Sequence, residues 1–249
     1  MSAPANAPTA GEEALWDLAA LAEARGLADW MFEQFRPYVA DRAIEVGAGI
    51  GTFSERLLAA GVESLLLVEP EPVCFEALVE RFGADARVRL TSETLPDAPS
   101  LVEQPERFGH IVCQNVLEHV AADGDAVAVM AACLRSGGVL SVLVPAHPRL
   151  FGSLDRAYGH ERRYTRERLR ALVEAAGLEV VELYSFNLLG VAGWVAQSLR
   201  GSTRIGTTSL AAYERLLRIW RPIERRVRPP VGLSLVVHAR RPQGSGAGT

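Results

Sequence analysis

Lysine is missing from this chain of 249 residues; all 26 basic side chains are arginine, a compositional bias from which no function follows. Cysteine is scarce. The three present, Cys74, Cys113 and Cys133, have neither the paired nor the clustered spacing of a disulfide framework or a zinc site. Two of them fall in apolar runs, so buried free thiols in a reducing compartment are expected. No apolar run reaches the roughly 18 residues that cross a bilayer. The opening MSAPANAPTAGEE has neither basic residues nor an apolar stretch, which argues against a secretory leader. These absences predict a cytoplasmic protein with no transmembrane segment. No internal repeat is visible.

What is present suits one α/β domain of ordinary size with additions: 49% of residues are hydrophobic, enough for a full core. Charge is divided unevenly. Residues 200–249 hold ten arginines against Glu214 and Glu224, about +8; the whole chain is −4, leaving about −12 on residues 1–199. A net acidic main domain argues against a broad nucleic-acid footprint. The basic C-terminal region leaves an anionic substrate or an anionic membrane surface open.

One stretch organises the rest, Ala43 to Leu57, AIEVGAGIGTFSERL. A short apolar run reads as a buried strand. Three glycines follow at alternating positions, Gly47, Gly49 and Gly51, and then the start of an amphipathic helix. Glycine belongs where a turn is tight and a ligand must approach the backbone without a Cβ in the way. A dinucleotide fingerprint wants a further glycine at position 52, where this chain has Thr52. A second apolar run, Leu65 to Val68, ends in Glu69, an acid about 20 residues past the glycines and placed to accept ribose hydroxyls.

Further strands are predicted at Arg87–Leu90, His110–Cys113, Val139–Val144, Glu179–Phe186 and Leu233–Ala239, and helices from Glu12 to about Phe35, over Pro72–Phe82, Asp123–Leu134 (capped by Ser136-Gly137-Gly138) and Arg166–Ala176 (capped by Thr165). Residues 97–107 read as surface loop. A parallel sheet puts strand C-termini at the ligand crevice, so Gln114 and Asn115 are expected there. The connection after the fifth strand is long, polar and broken by glycine, with Asp155, Tyr158, His160, Arg163 and Tyr164 inside ten residues; a connection of this length is unusual unless functional. Two apolar helical segments over 187–229 interrupt the sheet before its last strand.

The run Glu45-x-Gly47-x-Gly49-x-Gly51 resembles motif I of class I, Rossmann-like S-adenosylmethionine (SAM) methyltransferases. Gln114 to Val120, QNVLEHV, resembles motif II and the following helix of small-molecule methyltransferases, including, more distantly, ubiquinone-biosynthesis O-methyltransferases. Asp155 to Thr165 resembles the D-x-x-x-G-H-x-R-R-Y-T loop of a subgroup of bacterial methyltransferases, where it covers the acceptor pocket. The resemblance covers about residues 40–186 plus the last strand. It implies an α/β, Rossmann-like seven-stranded mostly parallel sheet with the last strand antiparallel and helices on both faces. Added to this are a helical N-terminal cover (12–37) and a helical insertion (187–229), within one domain over 12–241 between a disordered start (1–11) and a flexible tail (242–249). It implies SAM as cofactor, held by Glu45, Gly47, Ala48, Gly49, Gly51, Thr52, Phe53, Glu69, Pro70, Ser92, Glu93, Thr94, Gln114, Asn115, Val116 and His119.

The reaction expected is in-line methyl transfer to O, C or N of a small-molecule acceptor, hydrophobic or prenylated. The candidates for a base are His160, His147 and His119, with Tyr164 as an orienting donor. Tyr158, Arg163, Asn187 and Trp194 are the candidate acceptor contacts. Some ubiquinone-type relatives hold a metal through acids here; Asn115 stands where the first of those acids would be, so no metal is expected. Other readings stay open. His119 can brace the turn, and the polar loop can be an Asp–Arg brace without chemistry. The 187–229 segment can be an acceptor lid, a homodimer surface or plain core. The whole can be a NAD-type oxidoreductase or a SAM-binding accessory protein without turnover.

Overall fold

The computed structural model describes residues 24–103, 107–201 and 207–243. The expected disordered start, the first part of the N-terminal cover with Trp16, and most of the expected tail lie outside the described residues. In chain order the main elements are α1 (Arg25–Phe35), β1 (Arg42–Val46), α2 (Ser54–Ala59), β2 (Ser64–Val68), α3 (Pro72–Phe82), β3 (Val88–Thr91), α4 (Pro99–Val102), β4 (Phe108–Gln114), α5 (Asp123–Cys133), β5 (Leu134–Pro145), α6 (Ser153–Ala157), α7 (Arg166–Ala175), β6 (Glu179–Phe186), α8 (Leu188–Leu199), α9 (Thr207–Val227) and β7 (Ser234–Arg240).

The central strands read as near-continuous apolar runs because both their faces are covered. They assemble in the order β3-β2-β1-β4-β5-β7-β6. β1 to β5 pair in parallel, and β7 enters antiparallel between β5 and β6. Two cores result. Ile44, Ile111, Leu140 and Val237 point to α5 and α7 on one face; Leu65, Leu67, Val112 and Val236 meet Trp30, Phe35 and Phe53 on the other. Strand order reverses at β1 and β4, and the crevice beyond their C-termini is where α/β sheets of this kind take ligands.

Two local expectations are corrected. β5 begins at Leu134 rather than Val139, because Leu134 is drawn into the sheet opposite buried Phe108. Gly137, expected as a helix cap, lies inside that strand at φ +74°. Residues 97–107 are not all loop: Pro99 opens α4, and its Leu101 is buried with its carbonyl accepting from the Cys133 thiol. All three cysteines are free and buried.

Buried ionisable groups set the pH dependence of stability. Ser141 Oγ stands 2.8 Å from both His110 Nε2 and His238 Nδ1. Burial first, then neighbouring charge, drives both imidazoles from 6.5 down to about 3. Their contribution is full above pH 6.5 and is lost as pH falls from there toward 3, since the unfolded chain takes up protons that the folded chain refuses. Glu45 and Glu118 move the other way: burial raises each from 4.5 to about 8. Their contribution is full below pH 4.5 and is lost as pH rises toward 8. Each group contributes a slope of about 1.4 kcal/mol per pH unit. Over pH 4.5–6.5 the two pairs oppose each other. The expected stability profile of the ligand-free protein is therefore a plateau there with a fall on both sides, read by denaturant unfolding. Glu45→Gln should flatten the alkaline limb; an unchanged limb would show that Glu45 is charged in the fold.

Candidate active site

The glycine turn follows β1 directly. Gly47, Gly49 and Gly51 have φ of +72°, +55° and +81°, and a Cβ on Gly47 would stand 2.2 Å from Val116 Cγ2. Val46 is level with Val68 on one side and Cys113 on the other. Glu69 and Gln114, one step further on, therefore flank the turn. Glu69 is buried; its Oε2 accepts the Gly49 N–H at 2.7 Å and its Oε1 the Glu71 N–H at 3.0 Å. Burial raises its pKa despite these bonds. Each carboxylate oxygen keeps a second lone pair for a ribose hydroxyl. Gln114 Oε1 is buried with no partner, and Asn115 beyond it takes φ +52°. Close backbone, a paired acid and an orphaned acceptor at the switch point fit the expected nucleoside cofactor.

A second group lies between the β4 and β5 exits. Arg163 is 3% exposed. Its Nε donates to Asp155 Oδ1 at 2.7 Å and its Nη1 to the Ala146 carbonyl at 3.0 Å, while Nη2 is buried and unpartnered. Asp155 Oδ1 also takes His160 Nδ1 at 2.9 Å, and its Oδ2 accepts the Gly152 N–H. Burial alone would raise the Asp155 carboxyl, yet the bonds from His160, Arg163 and Gly152 hold it below the usual range. With Nδ1 committed, His160 turns Nε2 toward Glu118, 4.0 Å from its Oε1. Glu118 is fully buried and both its oxygens lack a partner. The His119 ring meets His160 edge-on, with centroids 4.9 Å apart. Arg163 lies over the Trp194 ring at 4.5 Å. The Trp194 Nε1, Ser198 Oγ and His147 Nε2 atoms are also buried and unpartnered.

Several expected contacts have other employment. Glu45 accepts the Ser54 hydroxyl at 2.6 Å inside the fold, tying β1 to α2. Phe53 packs with Phe32 and Phe35 in the core. Glu93 is turned back to the Ser100 N–H and hydroxyl, fixing the start of α4. Tyr164 is wholly buried, with its hydroxyl 2.9 Å from both the Leu117 carbonyl and Asp123 Oδ2; it braces the loop and faces no acceptor. Asn187 caps α8: at φ +66° its Oδ1 accepts from Gly190 N and the Tyr213 hydroxyl, and its own N–H goes to Glu224. Ala48 is buried in the turn, Thr52 gives its carbonyl to Arg56, and Pro70, Ser92 and Thr94 are exposed at the crevice rim. Tyr158 sits 6.1 Å from His160, ring to ring.

Sequence reasoning passed over Glu118 and Ser198 as site residues and read Asp155 only as part of the polar loop. An acid between Leu117 and His119 in an otherwise apolar segment was the available signal for Glu118. Glu118, His119 and His160 each offer a ligand atom within 4.8 Å of the others, a set suited to a cation although no metal was expected.

The chain matches the family model described as a methyltransferase domain over residues 17–183. It is 31% identical over 123 residues to a tRNA U34 carboxymethyltransferase of Pseudomonas paraeruginosa, covering 47% of this chain and 37% of that protein. It is 26% identical over 109 residues to a ubiquinone biosynthesis O-methyltransferase of Bordetella bronchiseptica, 44% of each. The chain thus spans less than half the length of the curated relatives it matches. Among solved structures, an S-adenosylmethionine dependent methyltransferase from Mesorhizobium loti superposes with a TM-score of 0.61 at 13% identity, over 88% of this chain and all of that one.

Proposed function

The chain belongs to the methyltransferase domain family, and from that premise we propose that it is a SAM-dependent methyltransferase acting on a hydroxyl of a small-molecule acceptor, with His160 as the base. The Asp155–His160 contact carries this reading. An imidazole whose Nδ1 is held by a carboxylate presents a basic Nε2, and the carboxylate is itself pinned by a buried arginine. SAM, when bound, supplies an electrophilic methyl on a sulfonium. Glu69, the glycine turn and Gln114 hold and orient the cofactor. His160 Nε2 would take the O–H proton of an acceptor oxygen presented to that methyl group. Alignment supplies much of the acceleration. Arg163 Nη2, Trp194 Nε1 and Ser198 Oγ have no hydrogen-bond partner, and in this reading they serve the polar groups of the acceptor, with α8 as its lid.

The net acidic charge of residues 1–199 supports a small acceptor over a polyphosphate chain. The tRNA-modifying relative keeps the rival in view. The test offers labelled SAM with cell metabolite extract and, separately, with total tRNA. A +14 Da product among small molecules is expected; label in tRNA alone would overturn the acceptor class. The Glu118–His119–His160 group favours a second reading, in which a divalent cation there binds the acceptor oxygen and lowers its pKa. Turnover unchanged after chelation and dialysis would sink it.

A further inference from the structure

Helix α9 is amphipathic in an unusual sense: each of its faces carries its own pattern. The inner face buries Leu217 and half-buries Tyr213 and Trp220 against α1 and the sheet. Both of the helix's acids are on this side and fully used. Glu214 accepts the Gly26 and Leu27 N–H groups. Glu224 accepts those of Asn187 and Leu188 together with the Trp220 indole. The outer face has Leu216, Ile219, Ile223 and Val227, 54%, 70%, 42% and 67% exposed. Their spacing of three, four and four residues makes one stripe, about 16 Å long at 1.5 Å per residue. Alongside it stand Arg215 and Arg226, exposed and with no ion pair among the described residues; Arg218, also exposed, lies further round the helix, one turn from Glu214. Leu199, at the end of α8, is 83% exposed as well.

An exposed apolar stripe beside unpaired cations, with every acid of the helix turned inward, is the pattern of a helix lying in a bilayer interface. No described helix is long and apolar enough to cross a membrane. We propose that α9 docks this enzyme on an anionic lipid surface, with the stripe entering the headgroup–acyl boundary and the arginines meeting lipid phosphates. Charge complementarity picks this occupant. A second copy of the chain would bring the same arginines against each other. An RNA would pair with the arginines but leave four aliphatic side chains in water, since single strands are held by aromatic stacking. The surface has a path to the site. Glu224 and Trp220 on the inner face hold Asn187 and Leu188 at the start of α8, and α8 carries Trp194 over Arg163. The docking stands independently of the acceptor's identity.

The test is co-sedimentation of the full-length protein with phosphatidylcholine vesicles, with and without phosphatidylglycerol. Binding is expected to the anionic vesicles only and to weaken as salt rises. Ile219→Ser and Arg215→Glu should each lower partitioning at least about tenfold, while SAM affinity and the circular dichroism spectrum stay as in the parent protein. Absence of binding to anionic vesicles, equal binding to neutral ones, or a stable dimer in solution that Ile219→Ser dissociates would overturn the proposal. So would tRNA binding that Arg215→Glu abolishes and Ile219→Ser leaves intact.

Discussion

Gly49→Val is expected to abolish measurable SAM binding while the protein stays folded. Gly49 sits at φ +55°, a region that a β-branched residue almost never occupies. Its N–H is the donor to Glu69 Oε2. Valine must rotate away to relieve its own strain, which breaks that bond and puts two methyl groups where the cofactor meets the backbone. Gly49 lies outside both apolar cores, so circular dichroism should change little, while the backbone strain of about 1–2 kcal/mol lowers the unfolding midpoint without unfolding the protein. Gly47→Ala is the contrasting case: its Cβ would stand 2.2 Å from Val116 Cγ2, so stability should fall with affinity. Glu69→Ala removes two backbone contacts and the acceptor for ribose, charge-assisted bonds of about 1.5–3 kcal/mol each at most. SAM affinity should drop at least about tenfold. Calorimetric titration giving parental affinity in both Gly49→Val and Glu69→Ala would remove the cofactor from this crevice.

His160→Phe is expected to lower turnover by about 10²–10⁴-fold, the usual range for a general base, with SAM affinity unchanged. Asp155→Asn should lower turnover less, since the His160 Nδ1 contact then passes from a carboxylate to an amide oxygen. Asp155 also neutralises buried Arg163, and stranding that guanidinium costs about 3–5 kcal/mol, so the variant needs to be assayed well below its unfolding temperature. Turnover that falls while SAM affinity and the folded fraction keep their parental values separates positioning of His160 from general damage to the fold. If His160→Phe loses SAM affinity in step with turnover, the histidine belongs to the cofactor. If turnover is untouched, the loop is a brace. Tyr164→Phe removes the one hydroxyl proton within reach of both Asp123 and the Leu117 carbonyl; Asp123 keeps Arg162 and Arg168, and the cost is expected in stability first.

The glycine turn and the strands around it were legible in the sequence because their determinants are local. A tight turn at positive φ needs glycine within a few residues, and an apolar run buried on both faces announces a parallel strand whose tip places Glu69 and Gln114. Helix α3 and strand β6 fell where periodicity put them, and Thr165 caps α7 with its own hydroxyl. The acceptor half was legible only as a polar loop. Whether Tyr164 faces a pocket or Asp123, whether Glu45 meets a ligand or Ser54, and whether Glu93 holds an adenine or caps α4 depends on partners 41, 9 and 7 residues away. Which partner wins is decided by competing burial and hydrogen bonding, and one-dimensional spacing does not contain that competition. Glu118 shows it most plainly. In sequence it is one acid in an apolar run; folded, it has two unpartnered oxygens beside a histidine whose other nitrogen a distant aspartate has already taken.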